Sequence, residues 1–163
     1  MGITIRPGTE ADAERAGDIA AAAWEKIFNV YRESLGDEIF DALYTDWRQA
    51  KKNSVIKTFL NLNETIGAFI AEEDGETVGF VTYSTDGAKK KGEIMNNAVM
   101  PDKAGRGIGT MMYGRVLARF KERGMTTASV TTGLDAGHAP ARRAYEKAGF
   151  NKHTESVTYY MKL

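Results

Sequence analysis

The residues best suited to chemistry in this chain run from Val99 through Met100-Pro101-Asp102-Lys103-Ala104-Gly105-Arg106-Gly107-Ile108-Gly109 to Thr110. They place a β-like run, a glycine-rich turn and a helix start in immediate succession. Glycines let backbone N–H groups crowd toward a ligand, and the helix that follows points its positive dipole end at the same spot. That is chemistry for an anion, and the expected guest is a pyrophosphate. The Walker pattern does not fit, because it needs Gly-Lys-Ser/Thr where this chain has Gly107-Ile108-Gly109. The dinucleotide fingerprint does not fit either. It needs a third Gly or Ala where Met112 stands, and a βαβ unit where the upstream strand belongs to a hairpin meander. Taken alone, the turn also reads as an ordinary helix start.

The elements that must position this turn follow from apolar spacing. Ile3-Thr4-Ile5-Arg6 reads as a short edge strand stopped by Pro7-Gly8. Thr9 caps the next helix, with Asp12 at the capping-box position. Ile19, Ala23 and Ile27 define its apolar stripe, with Trp24, Phe28 and Tyr31 alongside, and Gly36 interrupts it. Ile39, Phe40, Leu43, Tyr44 and Trp47 continue at helical spacing. Strands then take over. Ala68–Ala71 and Val78–Tyr83 flank the turn Glu73-Asp74-Gly75-Glu76, a hairpin signal. Glu93 to Val99 forms a third strand beyond Asp86-Gly87-Ala88 and the tip Lys89-Lys90-Lys91. After the glycine turn, Ile108, Met112, Val116 and Phe120 mark a helix that stops at Gly124. A strand at Thr126–Thr131, a helix over about Ala139–Ala148 and a final strand pair complete the expectation. The reading is α+β, one domain over residues 1–163, with a mixed, mostly antiparallel sheet.

Composition narrows the function. Lys plus Arg and Asp plus Glu each number 22, which argues against a nucleic-acid partner. The run Ile19–Trp24 is closed by Asp18 and Glu25 and is too short to span a bilayer, so no membrane partner is expected. Glu10, Asp12 and Glu14 stand where a signal peptide would be apolar, and the expected location is cytoplasmic. The chain has no cysteine, which excludes disulfides and an acyl-cysteine intermediate. With His138 and His153 as the histidines, no metal site is expected.

Val99-x-Pro101 followed by Gly105-Arg106-Gly107-Ile108-Gly109-Thr110 resembles the acetyl-CoA motif of the GNAT superfamily of N-acetyltransferases, Arg/Gln-x-x-Gly-x-Gly/Ala. Downstream, Ala141-Arg142-Arg143-Ala144-Tyr145-Glu146-Lys147-Ala148-Gly149-Phe150 is similar to that family's second motif, Asn-x-x-Ala-x-x-x-Tyr-Glu-x-x-Gly-Phe. Ile5-Arg6-Pro7…Asp12 resembles its first strand and helix start. Two positions depart: Ala104 replaces the usual Arg or Gln, and His138 replaces Asn. The resemblance implies a three-layer α/β/α fold whose sheet splays at its central parallel strands. The pantetheine arm of acetyl-CoA would lie between the strand ending at Val99 and that at Thr126–Thr131. Its pyrophosphate would sit on the N–H groups around Arg106 to Thr110, with Lys103 and Arg106 supplying charge that Ala104 lacks. His138 and Ala141 would border the cofactor arm.

The chemistry implied is acetyl transfer from acetyl-CoA to a primary amine, small-molecule or peptide, by direct attack in a ternary complex. Glu93 is the candidate base, six residues before Val99 and therefore expected on its sheet face; the plainer reading is a solvated strand end near Lys91. Tyr145 is the candidate acid, because the motif places this tyrosine near the CoA sulfur. Asn97 interrupts an apolar strand, and either touches the acceptor or satisfies a bulge. Trp24, Phe28, Tyr31, Tyr44 and Trp47 lie on the first two helices, which in GNAT folds wall the acceptor site; most are expected in the core, with one or two of them, drawn from Trp24, Phe28 and Tyr31, lining the pocket. A catalytically silent acyl-CoA-binding module is the alternative function; the last strands of this fold often pair between subunits, which would give a homodimer.

Overall fold

Apolar alternation from Ile66 to Val99 builds the middle of a five-stranded sheet in the computed structural model, which describes residues 2–163. Its strands are β1 (Ile3–Pro7), β2 (Ile66–Glu73), β3 (Glu76–Asp86), β4 (Lys91–Val99) and β5 (Thr127–Val130), in the spatial order β1-β2-β3-β4-β5. Neighbours from β1 to β4 are antiparallel, and β5 runs parallel to β4. The β2–β3 turn has Asp74 and Gly75 both at positive φ, as a tight hairpin that follows the strand twist requires.

Four helices cover the two faces. Helices α1 (Ala13–Tyr44) and α2 (Trp47–Phe59) pack on one face, where Ala16, Ile19, Val55 and Phe59 meet Ile70, Phe80 and Ala98. Helices α3 (Ile108–Glu122) and α4 (Ala139–Ala148) cover the other, where Met112, Val116, Phe120 and Tyr145 meet Phe69, Val81, Tyr83 and Ile94. The result is the three-layer α+β arrangement. Gly36 breaks α1 into two limbs with φ 76° and ψ 159°, and the chain breaks again before Trp47. At the start of the first helical stretch, Asp12 accepts from the Thr9 N–H (2.8 Å) and from Arg6 through both carboxylate oxygens (2.7 and 2.9 Å), tying helix to edge strand.

Two expectations fail. Residues 151–163 form no strand pair: they are exposed and take part in no backbone–backbone hydrogen bond among the described residues. Strand-like alternation supplies propensity, but a strand exists only where a neighbour supplies hydrogen bonds. Here the segment instead approaches the far limb of α1, with Tyr160 Oη 3.4 Å from Tyr44 Oη and Lys162 paired to Glu38. The second failure concerns β4. Asn97 pairs with Val81 and Ile94 with Tyr83, so Met95 and Asn96 both stand opposite Thr82. This bulge reverses the alternation. Ile94 therefore packs toward α3, whereas Ala98, four residues on, packs toward α1.

Candidate active site

Strands β4 and β5 pair only from Lys91–Thr127 to Ile94–Val130. Beyond Ile94 they part, and a cavity of about 870 Å³ opens in the fork. Met95 to Val99 form one wall, Thr131 and Thr132 the other, with Trp24 and Lys51 entering from the α1/α2 side. The parting leaves the β5-facing backbone groups of the upper half of β4 without a strand partner.

The glycine turn closes one end. Gly105 and Gly107 hold φ values of 79° and 80°, in the left-handed region that side chains resist. Through them the chain turns so sharply that Met111, donating to Gly107 O, makes the first backbone hydrogen bond of α3. The N–H groups from Gly105 to Thr110 donate to no backbone carbonyl, a row of free donors at the positive end of a helix. The expected cationic help is already engaged. Lys103 Nζ lies 2.8 Å from Glu73, and Arg106 donates to both Glu73 oxygens at 2.5 and 3.1 Å. Arg106 and Lys103 hold the Glu73 carboxyl down to about 2. Arg106 does not border the cavity; Lys103, Ala104, Gly105, Gly107, Ile108, Gly109 and Thr110 do.

Across the fork, three polar side chains form a directed chain. Tyr113 Oη donates to Asn97 Oδ1 (2.6 Å), and Asn97 Nδ2 donates to Tyr145 Oη (2.9 Å). Burial pushes both phenols up, while the Asn97 amide works in the opposite direction on Tyr145. His138 also borders the cavity beside Ala141. Its Nδ1 lies 2.6 Å from Asp135 Oδ2, and Asp135 Oδ1 accepts the His138 N–H at 3.2 Å. The Thr132 hydroxyl is buried with no hydrogen-bond partner. Free N–H groups in the glycine turn and an open strand edge border one gap, and they fit a ligand that carries an anion on a polar arm.

The comparisons with known proteins agree with this geometry. Residues 24–150 match the model of the Acetyltransferase (GNAT) family. The chain belongs to the GNAT family. An uncharacterized N-acetyltransferase of Archaeoglobus fulgidus is 35% identical over 126 residues, which cover 74% of this chain and 82% of that protein. Mycothiol acetyltransferase of Streptomyces coelicolor is 31% identical over 93 residues, 57% of this chain but 29% of the relative's length. Among solved structures, a PaiA N-acetyltransferase of Thermoplasma acidophilum in complex with coenzyme A superposes with a TM-score of 0.70 at 19% identity, covering 96% and 94% of the two chains.

Against that GNAT framework, several expected site residues sit elsewhere. The bulge puts Glu93 on the α1/α2 face with Ala98, not on the face of Asn97 and Val99. Glu93 lies at the foot of the fork, outside the cavity wall and 3.6 Å from Lys91 Nζ. Phe28 and Tyr31 do not border the cavity. Phe28 stacks on Trp47 at 4.3 Å, and with Tyr31, Phe40 and Tyr44 they make a separate aromatic cluster under the α1–α2 corner. Lys51 escaped the sequence reading, since Lys51-Lys52 looks like an ordinary solvated pair. Trp24 is the distant signal that gives it meaning: Lys51 Nζ stands 3.8 Å from the centre of that ring.

Proposed function

We propose that this GNAT chain is an N-acetyltransferase that moves an acetyl group from acetyl-CoA to a primary amine by direct attack in a ternary complex. The observation that carries the reading is the polarity of the Asn97–Tyr145 hydrogen bond in a cleft whose other end is a row of free N–H donors. Acetyl-CoA supplies an activated thioester. The N–H groups of Gly105 to Thr110 hold its diphosphate, and unpaired backbone groups between Met95 and Val99 hold its arm and polarise the carbonyl. Because Tyr145 Oη accepts from Asn97, its own proton is free to point at the departing sulfur. A thiolate with a pKa near ~8.5 leaves without much help, so this donation contributes modestly.

The amine is the harder half. An alkyl ammonium with a pKa near ~10 is only about 0.1% free base at pH 7, a penalty of roughly 4 kcal/mol. Glu93, on the acceptor side of the sheet, is proposed to take that proton through water, as its place at the foot of the fork requires. His138, oriented by Asp135, takes the place of the motif's Asn beside the cofactor arm. The exposed apolar side chains Val157, Tyr159 and Met161, and the open edge of β5, support a homodimer in which these segments pair between copies; light scattering of Val157→Lys/Tyr159→Lys against the native chain tests it.

Free-thiol release on mixing the protein with acetyl-CoA and a panel of amines tests transfer. Turnover well above the acetyl-CoA hydrolysis blank is expected. CoA binding with no turnover across the panel would leave a silent acyl-CoA-binding module instead.

A further inference from the structure

The acceptor side of the cavity holds a half-buried cation with no carboxylate partner among the described residues. Lys51 reaches from α2 across to the β4 bulge, where Nζ donates to Asn96 Oδ1 at 2.6 Å and lies 3.8 Å over the Trp24 ring. Its neighbour Lys52 is paired to Glu14 and Asp18. Lys51 forms no ion pair with a carboxylate among the described residues. An ammonium carries three protons; the amide takes one and the aromatic face attracts the charge, which leaves donor capacity toward the cavity. Burying a charge without a counter-ion is unfavourable, and burial pushes the Lys51 ammonium down to about 8.

The rest of the wall sharpens the point. Among the described residues, Glu25 is the single carboxylate bordering the cavity, and it is paired to Arg48. Lys26, Lys103, Arg143 and Lys147 border it as well. A polycationic acceptor would find no free carboxylate there. An anion would find Lys51.

Resting on the transferase reading above, we propose that Lys51, with Trp24 and Asn96, binds a carboxylate on the acceptor, so that the substrate is a small amine that also bears a carboxylate. Asn96 adjoins Asn97, the residue that orients Tyr145. A carboxylate on Lys51 therefore anchors the acceptor beside the bulge, and its amine faces the fork where the thioester lies. An uncharged substitute leaves the ammonium unpaired, and that loss sets the discrimination.

The test has two arms, each run on the native chain and on Lys51→Met, whose folding is checked by thermal unfolding. Lys51→Gln, which keeps a donor for Asn96, replaces the variant if Met does not fold. In the first arm, N-acetylglycine and N-acetylglycinamide are titrated into the protein–CoA complex and followed by NMR. The carboxylate is expected to bind about tenfold more tightly than the amide, with the difference gone in the variant. In the second arm, kcat/KM is compared for amino acids and their carboxamides. The ratio is expected to drop about tenfold on substitution, a double comparison that cancels the amide's effect on amine basicity. Equal binding of the two probes, or ratios that the substitution leaves unchanged, would overturn the proposal while turnover kept the transferase reading intact. Carboxylate-selective binding without turnover of any acceptor would do the reverse.

Discussion

Asn97 Nδ2 donates to Tyr145 Oη at 2.9 Å, while Asn97 Oδ1 accepts from Tyr113 at 2.6 Å. One amide thus fixes the direction of two phenols. It also explains a polar residue in the middle of a strand, since the bulge at Met95–Asn96 turns Asn97 toward α3 and α4.

Tyr145→Phe is expected to lower kcat about tenfold and leave CoA affinity unchanged, because it removes the proton proposed to meet the departing sulfur; it also removes the acceptor of Asn97 Nδ2, a loss read separately as lower stability. Asn97→Leu leaves both phenols without their partner and should in addition lower stability by about 1–3 kcal/mol in urea unfolding. An unchanged kcat in Tyr145→Phe removes that residue from the reaction.

Glu73→Gln releases Lys103 and Arg106 beside the anion site. Exposed ion pairs contribute little to stability, so the turn should persist. CoA should then bind a few-fold more tightly at low ionic strength, and the gain should vanish in high salt. Calorimetric titration at two salt concentrations checks both statements; weaker binding would mean that the clamp itself shapes the turn.

For Glu93→Gln the pH dependence decides. If Glu93 removes the amine's proton through water, kcat/KM at pH 7 should drop by about tenfold or more. The deficit should shrink as pH rises toward the amine's own pKa near ~10, where free base no longer needs to be made. A uniform deficit at every pH, or none, argues for a structural Glu93.

Asp12 links β1 to the start of the first helix. The Arg6 guanidinium beside it and the Thr9 N–H hold its carboxyl below the usual range. A group depressed in the folded state stabilises above its unfolded pKa near ~3.9 and loses that contribution as pH falls through its folded value. Asp12→Asn should therefore cost about 2 kcal/mol at pH 7. The gap to the native chain should close below about pH 4, measured by urea unfolding at both pH values.

The proposed acid and base show how unevenly the site could be read in advance. Tyr145 was singled out through the resemblance of its helix to the second GNAT motif, a match carried by consecutive residues, and it borders the fork. Glu93 was misplaced in relation to Val99 because counting alternate residues assumes an unbroken ladder. The extra residue in β4 shows only when Thr82 is found facing two residues at once.

What the sequence determined alone is whatever a few consecutive residues can enforce: the positive-φ turn at Gly105 and Gly107, the hairpin at Asp74-Gly75, the Gly36 break, the Thr9–Asp12 box and the apolar stripe of α3. These follow from backbone sterics and periodicity. The tertiary structure decided every pairing between distant segments: Glu73 against Lys103 and Arg106, Lys51 over Trp24 and onto Asn96, Phe28 on Trp47 away from the cavity, and residues 151–163 with no strand partner. Each depends on which elements pack together, and charge, aromaticity or strand propensity along the chain carries no record of that.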